Sequence, residues 1–189
     1  MPDSRKDQLL ELAYAYVREN GIAAVSLRPL AAAIGSSPRV LLFLFGSKDG
    51  LLKALLARAR ADELSLLART PHDGLPAAGT AVWEWLRDPA HRPLLTLWVE
   101  AYARSLVERD GPWATFAAET VADWLDVLAR AQPPAERDTP DGLAARTAVL
   151  ALLRGALLDL LATGDVARTS AAVHAGLPRA VAVTRGGDA

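Results

Sequence analysis

The 189-residue chain contains no cysteine, so disulfides, thiolate nucleophiles and thiolate metal sites are excluded together. A reducing compartment permits that composition. Histidine is scarce: His72, His91 and His174 are scattered in turn-rich stretches or near the end. No metal-ligand pair, nucleophile elbow or phosphate-cradling glycine loop accompanies them. An enzyme is therefore not expected, and neither is a cofactor or metal. Pairs such as Arg154 with Asp159 and Glu100 with Arg104 read as ordinary helix ion pairs. Long apolar runs are missing too, since Val40 to Phe45 falls far short of the roughly 20 residues a membrane helix needs. With no basic-then-apolar leader in view, a soluble cytoplasmic protein without a membrane partner is expected. No segment alternates convincingly as a strand, and no internal repeat is visible.

What is present is apolar, at 51% of residues, and helical in period. The most informative stretch runs from Ser26 to Lys48. Two short apolar segments, Leu27 to Ile34 and Pro38 to Phe45, are separated only by Gly35, Ser36 and Ser37. So little chain allows only a tight turn between helices, which is a helix-turn-helix pattern. Ser26 and Ser37 stand at N-cap positions, Pro38 at a first helical position, and Gly46 where the second helix stops. Charge follows the same division. Residues 1 to 60 carry nine Arg and Lys against five acids, a balance of +4, and the remainder carries twelve against seventeen, a balance of −5. A cationic head on an anionic body suits a protein that offers one end to phosphates.

Around this motif the spacing predicts an all-α chain. A first helix runs from Ser4 to Asn20 on a stripe of Leu9, Leu10, Ala13, Tyr16 and Val17. Gly21 ends it, and Ile22 and Val25 plug the corner. Ser47 caps a fourth helix reaching about Ala68, long enough to bridge head and body. Residues 1–48 are thus a three-helix DNA-binding head, residues 48–68 a bridge and residues 69–189 a helical ligand-binding and dimerisation body, with Thr70 to Pro76 as the joint. In the body, helices are predicted over Ala77–Arg87, Arg92–Arg109, Trp113–Ala131, Leu143–Ala162 and Ala167–Val183, the last kinked or split by Pro178.

The segment from Leu143 to Ala162 is apolar on two sides. One stripe, Leu150, Leu153, Leu157 and Leu161, can fill the subunit's own core. The other, Val149, Leu152, Ala156 and Leu160, asks for a partner helix and, with Val173, Leu177 and Val181 of the last helix, makes a candidate homodimer interface. Five tryptophans lie in the three helices before it. Large rings most often fill a core, but Trp98, Tyr102, Trp124, Trp83 and Phe116, with Thr120 and Leu153, are also candidates to line a pocket for a small apolar or aromatic effector.

In the spacing of LLELAYAYVRENGIAAVSLRPLAAAIGSSP and of the junction Phe45-Gly46-Ser47-Lys48-Asp49-Gly50-Leu51, roughly residues 5 to 56, the chain resembles the TetR family of transcriptional regulators. That resemblance implies a DNA-binding regulator with an effector-binding and dimerisation half. One departure stands out. The family's second motif helix usually carries Tyr and polar residues where this chain has Leu42 and Phe43, so hydrogen bonds to phosphate through those side chains are lost. Apolar groups can still pack on thymine methyls. The alternatives are that Leu42 and Phe43 pack within the head, or that the chain is an all-helical protein-interaction module with weakened or lost DNA binding.

Arg39 is the leading candidate for base contact, since its two-pronged guanidinium suits guanine O6 and N7 in the first turn of the recognition helix. A phosphate or solvent contact is the other reading. Ser36, Ser37 and Pro38 open that helix and can meet phosphate or a base edge, although Ser37 also serves simply as a cap. Arg28, Ser26, Lys48, Arg5 and Lys6 are placed for phosphates. The mechanism expected is a repressing dimer on a near-palindromic operator, with release of DNA by the effector.

Overall fold

The computed structural model describes residues 4–20, 26–69, 74–107, 110 and 113–182, the side chains of residues 60, 62–69 and 182 excepted. Among these there is no strand. The helices are α1 (Arg5–Asn20), α2 (Leu27–Ala33), α3 (Pro38–Phe45), α4 (Lys48–Arg69), α5 (Leu75–Leu86), α6 (Arg92–Val107), α7 (Phe116–Arg130), α8 (Pro134–Arg137), α9 (Pro140–Thr163) and α10 (Val166–Ala182). The expected cap at Gly21, the plug of Ile22 and Val25, and Thr70 to Asp73 of the joint lie outside the described residues. Two compact units result. One holds residues 1–62 and 89–117, the other residues 63–88 and 118–189.

The first unit is built behind the helix-turn-helix. Leu9, Ala13, Tyr14 and Val17 bury one face of α1. Tyr14 rather than Tyr16 completes the stripe, and its ring lies 4.9 Å from the guanidinium carbon of Arg58. Arg58 in turn donates to Glu11, tying α4 back to α1. Leu30, Ala31, Leu41, Phe45, Leu51, Leu52, Leu55 and Leu56 join the same core, with Leu94, Leu97 and Ala101 of α6. Thus α6, two helices further along the chain, packs against α1. Trp113 lies ahead of α7 instead of inside it and is sealed in this core, with Phe116 edge-on at 5.5 Å and Lys53 Nζ 5.4 Å from its ring centre.

The second unit centres on α5, α9 and α10, which pack against one another. Trp83 is fully buried and donates from Nε1 to Ser170 Oγ at 3.0 Å, fastening α5 to α10. At Gly79 a Cβ would fall 2.5 Å from a Leu177 methyl, and at Gly176 one would fall 2.8 Å from a Leu152 methyl. Gly79 of α5 therefore lets α10 close in, and Gly176 of α10 admits α9 of the same chain. α10 runs through Pro178 without splitting. The proline-rich loop after α7 contains the one-turn α8. Arg137 within it donates to the carbonyl of Ala129 at 2.9 Å, capping the end of α7. Asp159 pairs with Arg168 of α10. Arg168 grips it through both terminal nitrogens at 2.6 and 2.7 Å, and this holds the Asp159 carboxyl below its ordinary range.

One contact locks the head's last turn. Gly50 sits where a Cβ would lie 2.0 Å from the backbone oxygen of Phe45, so any side chain there must push α3 and α4 apart. Gly50→Ala is expected to lower stability by about 1–3 kcal/mol, as overpacking does. Urea unfolding followed by circular dichroism measures it, and an unchanged midpoint would show that the two helices part without cost.

Candidate nucleic-acid interface

The motif is assembled by caps at every joint. α2 ends in a Schellman turn: Ser36 N–H donates to Ala31 O at 2.8 Å and Gly35 N–H to Ala32 O at 3.3 Å. Gly35 takes a positive φ of 64° there, a conformation glycine adopts without a Cβ clash. The chain then bends so that α2 and α3 meet at 101°, within the range such motifs use. Ser37 accepts a hydrogen bond from Val40 N at 3.3 Å, satisfying a donor that the short α3 would otherwise leave open. Ser47 does the same for α4 through Gly50 N at 2.9 Å. Ser26 occupies the N-cap of α2 with an extended backbone, but its side chain makes no capping bond.

Helical period divides α3 into two sets. Leu41 and Phe45 are sealed in the core, Leu41 at 1% exposure. Arg39, Val40, Leu42 and Phe43 point away from it, with Val40 38%, Leu42 40% and Phe43 86% exposed. The alternative in which Phe43 packs within the head is thereby corrected: its neighbours at i−2 and i+2 take the core positions. Val40 was not among the expected contacts. The missing signal is that every residue of the helix after Arg39 is apolar, so only burial separates inside from outside.

Cations flank this surface. Arg5, Lys6, Arg28 and Lys48 are exposed. Lys6 Nζ lies 5.5 Å from the ring centre of Phe45, which brings the start of α1 to the end of α3. No acid occurs between Ser26 and Gly46, so nothing within the motif itself opposes a polyanion.

The other expected sites divide less simply. Trp98, Tyr102 and Phe116 belong to the first unit and are half-buried; Trp98 and Tyr102 lie 5.0 Å apart, centre to centre. Thr120, Trp124, Trp83 and Leu153 belong to the second. There Trp83 and Leu153 are buried by helix packing. A cleft of about 920 Å³ opens elsewhere in that unit, lined among others by Leu75, Arg130, Pro133 and Val181, and it includes none of the expected aromatics.

The expected dimer residues also shift. Val149, Leu160, Val173 and Leu177 are buried inside one chain, and Leu152 packs on Gly176. Ala156 and Val181 are half-buried. The face of α9 left open is instead Leu143, Thr147, Ala151, Gly155, Leu158 and Ala162, with Leu143 45% and Leu158 51% exposed.

Residues 9–55 match the family described as bacterial regulatory proteins, tetR family. A solved structure from Rhodococcus sp., described as a TetR-family transcriptional regulator, is similar at 23% identity. It has a TM-score of 0.65, with 95% of this chain and 98% of that one covered. A transcriptional regulator from Pseudomonas aeruginosa PAO1 is similar at 18% identity and a TM-score of 0.68, covering 98% of this chain and 93% of its own. No curated protein matches the sequence.

The two-sided α3 sets an expectation for stability. Leu41→Ala should cost about 2–5 kcal/mol, as emptied core positions do. Phe43→Ala should stay within about 0.5 kcal/mol of the parent, as surface changes do. Equal losses in chemical denaturation would mean that Phe43 carries packing after all.

Proposed function

We propose that the chain, whose residues 9–55 match the tetR family, is a transcriptional regulator with a helix-turn-helix DNA-binding head that binds a near-palindromic operator as a homodimer and lets go when a small apolar or aromatic effector binds. One observation carries the reading: α3 turns an arginine and three unburied apolar side chains outward from a cationic, well-capped motif. Two such helices reading a duplex must stand about one turn, roughly 34 Å, or a multiple of it apart. A twofold pair meets that requirement.

The α9 stripe supports such a pair. Thr147, Ala151 and Gly155 are small and let a second helix approach closely, and Leu143 and Leu158 supply apolar area to bury. For the effector, the half-buried pair of Trp98 and Tyr102 offers aromatic surface in the first unit. Repression is the simplest outcome, because a protein seated on an operator blocks what else would bind there. The effector must bind the released form more tightly than the DNA-bound form, or it shifts nothing. The exposure of Phe43 supports one other reading, a protein-interaction module of the same fold.

Duplex DNA from the region upstream of the protein's own gene separates the two. Retardation at low salt supports the regulator, and its absence supports the module. Arg39→Ala should weaken operator binding by about 1–3 kcal/mol while leaving random-duplex binding nearly unchanged. Lys6→Ala should weaken both alike and flatten the salt dependence. Leu158→Glu, which places a charge in the middle of the α9 stripe, should give monomers in analytical ultracentrifugation and lose operator binding at unchanged helicity. A dimer that persists would move the interface off α9.

A further inference from the structure

Across the twenty-one residues from Ser26 to Gly46, the side chains able to hydrogen-bond are Ser26, Arg28, Ser36, Ser37 and Arg39, and α3 itself contributes only Arg39. There is no Asn, Gln, Thr, Tyr, His, Lys or acid in the stretch. Ser37 is committed to its cap. Whatever α3 reads beyond the reach of one guanidinium and of its first backbone N–H groups, it reads without side-chain hydrogen bonds. Its remaining outward groups, Val40, Leu42 and Phe43, are apolar.

The major-groove edges of the four base pairs offer hydrogen-bonding atoms almost throughout, with one aliphatic feature, the C5 methyl group of thymine. Pressed against a guanine or cytosine edge, Phe43 would strip water from donors and acceptors and give nothing back. Against a thymine methyl, both surfaces leave water favourably. Phe43 also lies one helical turn beyond Arg39, so the two side chains rise side by side from the same face.

Resting on the DNA-binding reading above, the geometry points to a methyl-reading recognition helix: Phe43, assisted by Leu42, selects pyrimidines bearing a C5 methyl, next to a guanine taken by Arg39. The residue that sets specificity is thus an exposed phenylalanine, and its target is a single carbon on the groove floor. The operator half-site holds thymine beside guanine. 5-Methylcytosine presents the same carbon and is accepted in thymine's place so far as the methyl is concerned.

The experiment begins with the full chain and a random-sequence duplex library, from which bound sequences are selected and aligned. Each thymine of the recovered half-site is then replaced by deoxyuridine, which keeps pairing and every hydrogen-bonding atom and removes only the methyl. Affinity is measured for the parent, Phe43→Ala and Arg39→Ala. For the parent, uracil at the Phe43-facing position should weaken binding about fourfold per methyl, as the burial of one carbon implies. Phe43→Ala should bind the thymine duplex more weakly by a similar factor and be indifferent to uracil. Arg39→Ala should keep its sensitivity to uracil. A parent that binds uracil and thymine duplexes equally would overturn the inference and leave DNA binding intact. So would a Phe43→Ala variant that retains the parent's sensitivity, which would put Phe43 against sugar or phosphate. Failure to bind any duplex even at low salt would sink the DNA-binding reading itself, and this inference with it.

Discussion

Helices of seven and eight residues do not hold themselves together in water, where even good helix-formers need about 12–15 residues. α2 and α3 are of that short kind, and the head depends on how they are held. Two devices do it. The open carbonyls at the end of α2 are taken by the turn at Gly35, an open N–H at the start of α3 by the hydroxyl of Ser37, and one at the start of α4 by the hydroxyl of Ser47. Leu30 and Ala31 on one helix and Leu41 and Phe45 on the other are driven into a core shared with α1, α4 and α6. The arrangement leaves no slack at the junction, as the closeness of Gly50 to the last carbonyl of α3 makes plain.

Rigid seating explains why an apolar outer face can exist at all. A loose helix with Leu42 and Phe43 exposed would lower its free energy by rolling those groups inward. Here the inward positions are already filled, and Gly46, with φ of 77°, stops the helix before another turn can form. Exposure of Phe43 is a consequence of the packing of Leu41 and Phe45, and the chemistry offered to a duplex follows from it.

Much of this was legible in the residues themselves. Turn formers two or three at a time between apolar segments located α2, α3 and the start of α4, because caps and helix stops depend on local chemistry. The second unit was legible as helices but not as faces. α9 carries leucine, valine and alanine around its whole circumference, so period alone offered two stripes and could not say which met α5 and α10. Packing decided it through Gly79 and Gly176, where the missing side chains let neighbouring helices of the same chain close in and consume Val149, Leu152 and Leu177. Likewise Trp83 could be read as core or as pocket lining from spacing alone, and its burial and its indole N–H bonded to Ser170 place it in the packing of α5 on α10. Such choices depend on contacts far apart in sequence, which spacing does not encode.

The division of α3 into sealed and open positions bears on how such a protein changes over generations. Substitutions at Val40, Leu42 and Phe43 fall on the outside, away from the core that Leu41, Phe45 and Gly50 define. Descendants of this chain are therefore free to drift at three neighbouring surface sites, changing what the head turns outward while inheriting the same framework unaltered.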